Sequence, residues 1–115
     1  MELQQAVGTL QALAQETRLE IFRALVRAGY EGMPAGAIGK ALGVPAATLS
    51  FHLKELKNAG IVNCRREGRS LIYSPAFDAM SALLAFLTEN CCQGAVSPAT
   101  RRSQAPRRTK RAAPR

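Results

Sequence analysis

Two short helical segments separated by a glycine, followed at once by a change from helical to alternating periodicity, constrain this chain more than any other feature. Pro34 suits the first turn of a helix that carries Ile38 and Leu42 before Gly43 breaks it. Pro45 opens the next helix, which runs to about Ala59 with Gly60 as its stop signal. Two helices of this size joined by a tight Gly-containing turn form the helix-turn-helix pattern. Ile61 to Arg66 and Arg69 to Tyr73 then read as short strands around a Glu67-Gly68 turn. A helix-turn-helix carrying such a hairpin is a winged helix-turn-helix.

The flanking segments complete the fold. Leu3, Ala6, Val7, Leu10 and Leu13 recur at helical spacing and predict a first helix ending near Ala14. Thr17-Arg18-Leu19-Glu20 has the form of a capping box at the start of a second helix. The apolar set of that helix, Leu19, Ile21, Phe22, Leu25 and Val26, is wider than one stripe and predicts a central position, with Gly29 and Gly32 as stops. Ser74-Pro75 fits an N-cap and first-turn proline for a last helix whose stripe is Phe77, Met80, Leu83, Leu84 and Leu87. The expected fold class is therefore mainly α with a small β-hairpin: five helices, the hairpin lying between the fourth and the fifth. A body of about 94 residues buries only around 60 to 65 per cent of its unfolded surface. The stripes on the first and last helices thus call for a second subunit, and a homodimer is expected.

Composition sets limits on function. The chain has 115 residues, 16 basic and 8 acidic, for a formal charge of +8. That length suits one domain and excludes a two-domain nucleotide-dependent enzyme. The longest apolar run, Ala82 to Leu87, is far short of the roughly 20 residues of a membrane span, so no membrane partner is expected. The first residues, Met1 to Gln5, have neither the basic start nor the apolar core of a secretory signal, and the expected location is the cytoplasm. Three cysteines, an odd number, argue against a disulfide framework. A single histidine, no Ser/His/Asp set and no phosphate-cradling glycine loop argue against an enzyme.

The charge is unevenly placed. Residues 95–115 hold seven basic residues and no acid, whereas residues 1–94 hold nine basic against eight acidic. The expected organisation is a DNA-binding and dimerisation domain over 1–94 and a basic disordered tail over 95–115. The tail reads either as a divergent end or as a source of extra nonspecific affinity for nucleic acid. The body's case for DNA must rest on particular residues.

With Leu49, Leu53 and Leu56 turned inward at about 100° per residue, the fourth helix turns Ala47, Thr48, Phe51, Lys54 and Asn58 outward, with Ser50 and His52 on the flanks. Small residues at its start let the helix sink into a major groove, hydroxyls bond to phosphates or bases, and an exposed Phe can meet a thymine methyl. His52 reads as a DNA contact or as a group that positions neighbouring contacts; with no second histidine, a metal role is disfavoured. Arg65, Arg66 and Arg69 near the hairpin tip suit phosphate or minor-groove contact.

The run Leu49-Ser50-Phe51-His52-Leu53-Lys54-Glu55-Leu56-Lys57-Asn58-Ala59-Gly60-Ile61-Val62, continuing through Arg65-Arg66-Glu67-Gly68-Arg69 to Tyr73-Ser74, resembles the ArsR/SmtB family of metal-sensing repressors over roughly residues 8–94. The resemblance implies a dimeric winged helix-turn-helix repressor that binds double-stranded operator DNA without a cofactor and leaves it when an inducer binds. By position, Ala47, Thr48, Ser50, Phe51 and His52 fall on the family's groove-reading helix, and Arg66 and Arg69 on its wing, with Lys54 added to the DNA-facing set by its outward phase.

Thr88-Glu89-Asn90-Cys91-Cys92-Gln93-Gly94 is the most chemically pointed segment, at the end of the last helix with Gly94 as its terminator. Neighbouring α-carbons lie about 3.8 Å apart, too close for the roughly 4.4 Å that a relaxed disulfide needs. Two thiolates at one spot instead select soft, thiophilic ions. The pair resembles that of arsenic-responsive family members whose vicinal cysteines come late in the chain; the stretch Phe22 to Val44, where other members carry theirs, has none. The implied inducer is As(III) or Sb(III), with methylarsenite matched as well as or better than arsenite by two thiols. Cys64 is the one candidate for a third sulfur ligand, set against its reading as a small buried hydrophobe. Two other readings stand: a thiol redox or persulfide sensor on the same fold, and a protein-interaction scaffold with a nonspecific basic tail.

Overall fold

The computed structural model describes residues 1–94; the basic tail expected over 95–115 lies outside them. Helices α1 (Leu3–Leu13), α2 (Glu16–Ala28), α3 (Ala35–Leu42) and α4 (Ala46–Asn58) precede strands β2 (Val62–Glu67) and β3 (Ser70–Pro75), and α5 (Phe77–Thr88) follows. A two-residue strand β1 (Met33–Pro34) pairs antiparallel with β3, giving a three-stranded sheet in the order β1-β3-β2. Winged helix-turn-helix is thus the observed architecture. Among the described residues, no helix is long and apolar enough to cross a membrane.

The core lies where α2, α3 and α4 meet the base of the hairpin: Ile21, Phe22, Leu25, Ile38, Leu49, Leu53, Leu56, Ile61 and Val62 are all buried. Truncating a side chain of this kind to alanine typically costs about 2–5 kcal/mol. The central placement of α2 holds for Ile21, Phe22 and Leu25, while Leu19 and Val26 of the expected set face outward.

Several boundaries differ from the sequence reading, each for a local reason. The second helix starts at Glu16, ahead of the Thr17 box, because the Gln15 side chain accepts from the Arg18 backbone N–H at 2.9 Å. Pro34 sits not in the first turn of α3 but before it, in β1 opposite Ile72, with an extended ψ of 148°. Pro75 ends β3 opposite Val62, and Ala76 rather than Ser74 precedes α5. Proline fixes φ near −65°, a value that an extended residue shares with a helix start, so proline alone does not distinguish the two. The hairpin closes with Glu67 opposite Ser70, which leaves Gly68-Arg69 as its two-residue turn instead of Glu67-Gly68. Arg69 therefore occupies the tip.

Gly32 is required by its surroundings. Its φ is +75°, and a Cβ there would collide with the carbonyl oxygen of Tyr73 in the neighbouring strand. Gly32→Ala is expected to destabilise the domain by about 1–3 kcal/mol, the usual cost of one strained backbone position, read as a lowered urea midpoint with an unchanged slope.

Candidate DNA-reading face and thiol pair

Helix α4 begins directly after Pro45, whose extended conformation turns the chain from α3 through Gly43, a left-handed residue with φ 68°. Leu49, Leu53 and Leu56 anchor it, which leaves Ala47, Thr48, Ser50, Phe51 and Lys54 exposed. Phe51 is 55% exposed, a large ring facing solvent on a helix whose other face is fully engaged.

His52 departs from the expected flank position. It is only 8% exposed and lies between helices, its Nδ1 3.4 Å from Nη1 of Arg18. Of the two roles read for it, this geometry suits positioning and not direct contact. Its ring meets the Phe51 ring edge-on, with centroids 5.5 Å apart.

The three hairpin arginines separate into two kinds. Arg65 donates from Nε to Glu67 Oε2 and from Nη2 to the Glu31 carbonyl, both at 2.8 Å, so it ties the wing to the 3-10 turn (Gly29–Glu31) that follows α2. Nothing in the sequence signals this tie, because Glu31 lies 34 residues away. Arg66 and Arg69 are exposed and make no side-chain hydrogen bond or ion pair among the described residues. Lys54 on α4 is likewise exposed. Alanine at Arg66 or Arg69 should lower the salt dependence of DNA binding by about 0.9 in log–log slope for each phosphate no longer neutralised. Alanine at Arg65 should weaken binding through a looser wing and leave that slope unchanged; affinity measured across a salt series distinguishes them.

Cys91 and Cys92 lie in a turn beyond α5 and not on its last helical turn. The helix stops at Thr88, and Asn90 and Cys92 take left-handed conformations with φ of 61° and 68°. Glu89, extended at ψ 139°, ends the helix five residues before the expected terminator Gly94, and Asn90 follows in a region that asparagine tolerates well. Both thiols are exposed and their Sγ atoms are 2.7 Å apart. The hydrogen bond that the Cys91 thiol shares with Cys92, and secondarily the neighbouring charge, favour its protonated form and raise it above its ordinary pKa.

Cys64 is not brought to this pair. It is half-buried in β2 opposite Tyr73, whose phenol is raised by burial first and by the Cys64 thiol second. Among the described residues, no three His, Cys, Asp or Glu side chains gather as a metal cluster would.

Residues 13–65 match the family model of a helix-turn-helix domain. Over 84 residues the chain is 34% identical to the nodulation protein NolR of Rhizobium meliloti, a match covering 73% of this chain and 66% of NolR. Over 88 residues it is 31% identical to the transcriptional activator HlyU of Vibrio cholerae, covering 76% of this chain and 79% of HlyU. The homodimeric winged helix-turn-helix DNA-binding domain of Mb0332 from Mycobacterium bovis, a possible ArsR-family transcriptional regulator, superposes with a TM-score of 0.63 at 31% identity over 75% of this chain and 78% of that one. Fold, sequence and the transcriptional roles of these relatives agree: the chain belongs to the ArsR/SmtB family of winged helix-turn-helix, DNA-binding transcriptional regulators.

Proposed function

We propose that this regulator is a homodimeric repressor whose Cys91-Cys92 pair captures trivalent arsenic or antimony and thereby releases operator DNA. The observation that carries the reading is the pair itself: two exposed, adjacent thiols with sulfurs 2.7 Å apart, just beyond the last helix. Soft thiol sulfur favours thiophilic ions over oxygen-loving ones. With Cys64 held opposite Tyr73, the pair offers two sulfurs. Methylarsenite has two exchangeable hydroxyls and one valence filled by carbon, so two thiols satisfy it completely, whereas arsenite keeps a hydroxyl. Methylated trivalent arsenicals are accordingly the best-matched inducers.

Dimerisation is supported by the faces left uncovered on α1 and α5. Leu3 is 66%, Leu84 58% and Leu87 55% exposed, with Val7 and Leu10 beside them. The similar Mb0332 domain is homodimeric. Ala47, Thr48, Ser50, Phe51 and Lys54 are the residues proposed to read the groove, Arg66 and Arg69 those proposed to hold the backbone, and His52 acts from behind them. The inducer acts through its differential affinity for the DNA-competent and released conformations.

The test is a DNA-release titration. A duplex selected by the full chain from a random-sequence pool is bound, then arsenite, antimonite, methylarsenite, zinc and cadmium are added in turn. Release by the trivalent metalloids, methylarsenite at the lowest concentration, is the expected result. Release by zinc alone would overturn the reading. Release only by an oxidant or a persulfide donor, with loss of two protons or gain of sulfur on Cys91 and Cys92 by mass spectrometry, would replace it with a redox sensor.

A further inference from the structure

Arg18 lies outside the DNA-reading face, yet its side chain bridges α1 and α2 to the helix that carries that face. Its backbone N–H is held by Gln15 Oε1 at 2.9 Å, its Nε donates to the Ala12 carbonyl at 2.7 Å, and its Nη1 lies 3.4 Å from Nδ1 of His52. The Ala12 carbonyl belongs to the last turn of α1, where helix carbonyls lack an internal partner and a cation is favoured. A guanidinium has donors only, so in this geometry the Nδ1 of His52 presents its lone pair. One side chain thus pins the end of α1, the start of α2 and the middle of α4.

We infer that Arg18 is a positioning residue for sequence reading, acting through His52 to fix the pitch of α4 and the attitude of Phe51. Bond by bond, the route is short: Ala12 carbonyl to Arg18, Arg18 to His52, and the His52 ring edge-on to Phe51 at 5.5 Å. Phe51 is exposed and has little else to hold its ring. A planar fork that meets two acceptors on different helices is a job a lysine ammonium does poorly. Because the first link is α1, a shift of that helix is transmitted to α4 by the same contact. The inference rests on α4 as the groove-reading helix and not on the identity of the inducer.

The experiment compares full-length Arg18→Met, Arg18→Lys, His52→Leu, His52→Asn and Phe51→Ala on the selected duplex and on random duplex at one salt concentration. Methionine keeps the stem of Arg18 and removes its donors. Arg18→Met is expected to reduce the selected-to-random affinity ratio about tenfold, equivalent to about 1.4 kcal/mol, without changing random-duplex affinity or the salt slope. Arg18→Lys falls between. His52→Leu lowers the ratio to the same extent, and His52→Asn, which keeps an acceptor near the Nδ1 position, recovers it. The Arg18→Met, His52→Leu double variant falls no further than either single one, because the two act through one contact.

A merely structural role would lower thermal stability and leave the ratio intact in the folded fraction. That result, or additive losses in the double variant, overturns the inference. If Arg18→Met does not fold, the His52→Leu and His52→Asn pair decides: equal ratios in those two also overturn it. If Phe51→Ala leaves the ratio unchanged, it is the groove-reading assignment of α4 that fails instead.

Discussion

With serine at both Cys91 and Cys92, methylarsenite is expected no longer to release the protein from DNA. The measured quantity is the ratio of DNA affinities without and with inducer, so any change in basal affinity cancels. In the parent protein this ratio should fall in the usual range of coupling between two sites, about 5- to 150-fold; in the double serine variant it should be about 1, because no differential affinity remains to shift the equilibrium. Capture is an exchange without electron transfer. Two As–O bonds of methylarsenite and two S–H bonds break, two As–S bonds form, two waters leave, and arsenic stays trivalent.

The protonation state of the pair makes the chemistry testable by pH. The Cys91 thiol is raised by its neighbour, so it enters the reaction carrying its proton. Exchange of the protonated Cys91 thiol for a hydroxyl releases water and no net proton, so this step should leave apparent affinity nearly flat between about pH 6 and 8, below the ordinary thiol range. Above the raised pKa the thiolate must recover a proton, and affinity falls. Binding of a divalent metal by the same sulfurs would release protons and strengthen as pH rises. A methylarsenite affinity that climbs steeply from pH 6 to 8, or a serine variant that still responds, would remove the pair from the mechanism. Cys64→Ser should leave the ratio at its parental value, since Cys64 faces Tyr73 across the hairpin.

What can be read from the sequence follows from what is local. The phase of α4 is legible because Leu49, Leu53 and Leu56 all lie on one side and are all buried. The wing is legible because glycine and alternation mark a hairpin; its turn shifts by one residue since Gly68 alone, with φ of 61°, requires the left-handed position. The two prolines mislead for the opposite reason: Pro34 and Pro75 are extended residues that precede helices, and only strand pairing with β3 and β2 reveals it. His52 and Arg65 escape a sequence reading because their partners, Arg18 and the Glu31 carbonyl, are each 34 residues distant. A helical wheel contains one helix and cannot show such contacts. The early end of α5, at an extended Glu89, has no such local signal.

The largest fall in DNA binding should come from residues far from DNA. Leu84→Glu with Leu87→Glu alters side chains that are 58% and 55% exposed in the single chain, so the protomer should keep its helical content. In a two-fold dimer each substitution enters twice. Removing four leucines from an interface forgoes about 1.5–3 kcal/mol for each one buried, and unpaired carboxylates placed there add a desolvation cost. The expected result is a monomer by sedimentation at micromolar concentration. A monomer presents one recognition helix and one wing, and it lacks the linkage that makes binding of the second half-site intramolecular, an effect of about 10²- to 10⁴-fold. Binding to the selected duplex should fall by that factor while binding of a single half-site stays close to the parental protomer's. A double glutamate variant that sediments as a dimer would show that α5 is not the subunit interface, and the exposed leucines would then need a different partner.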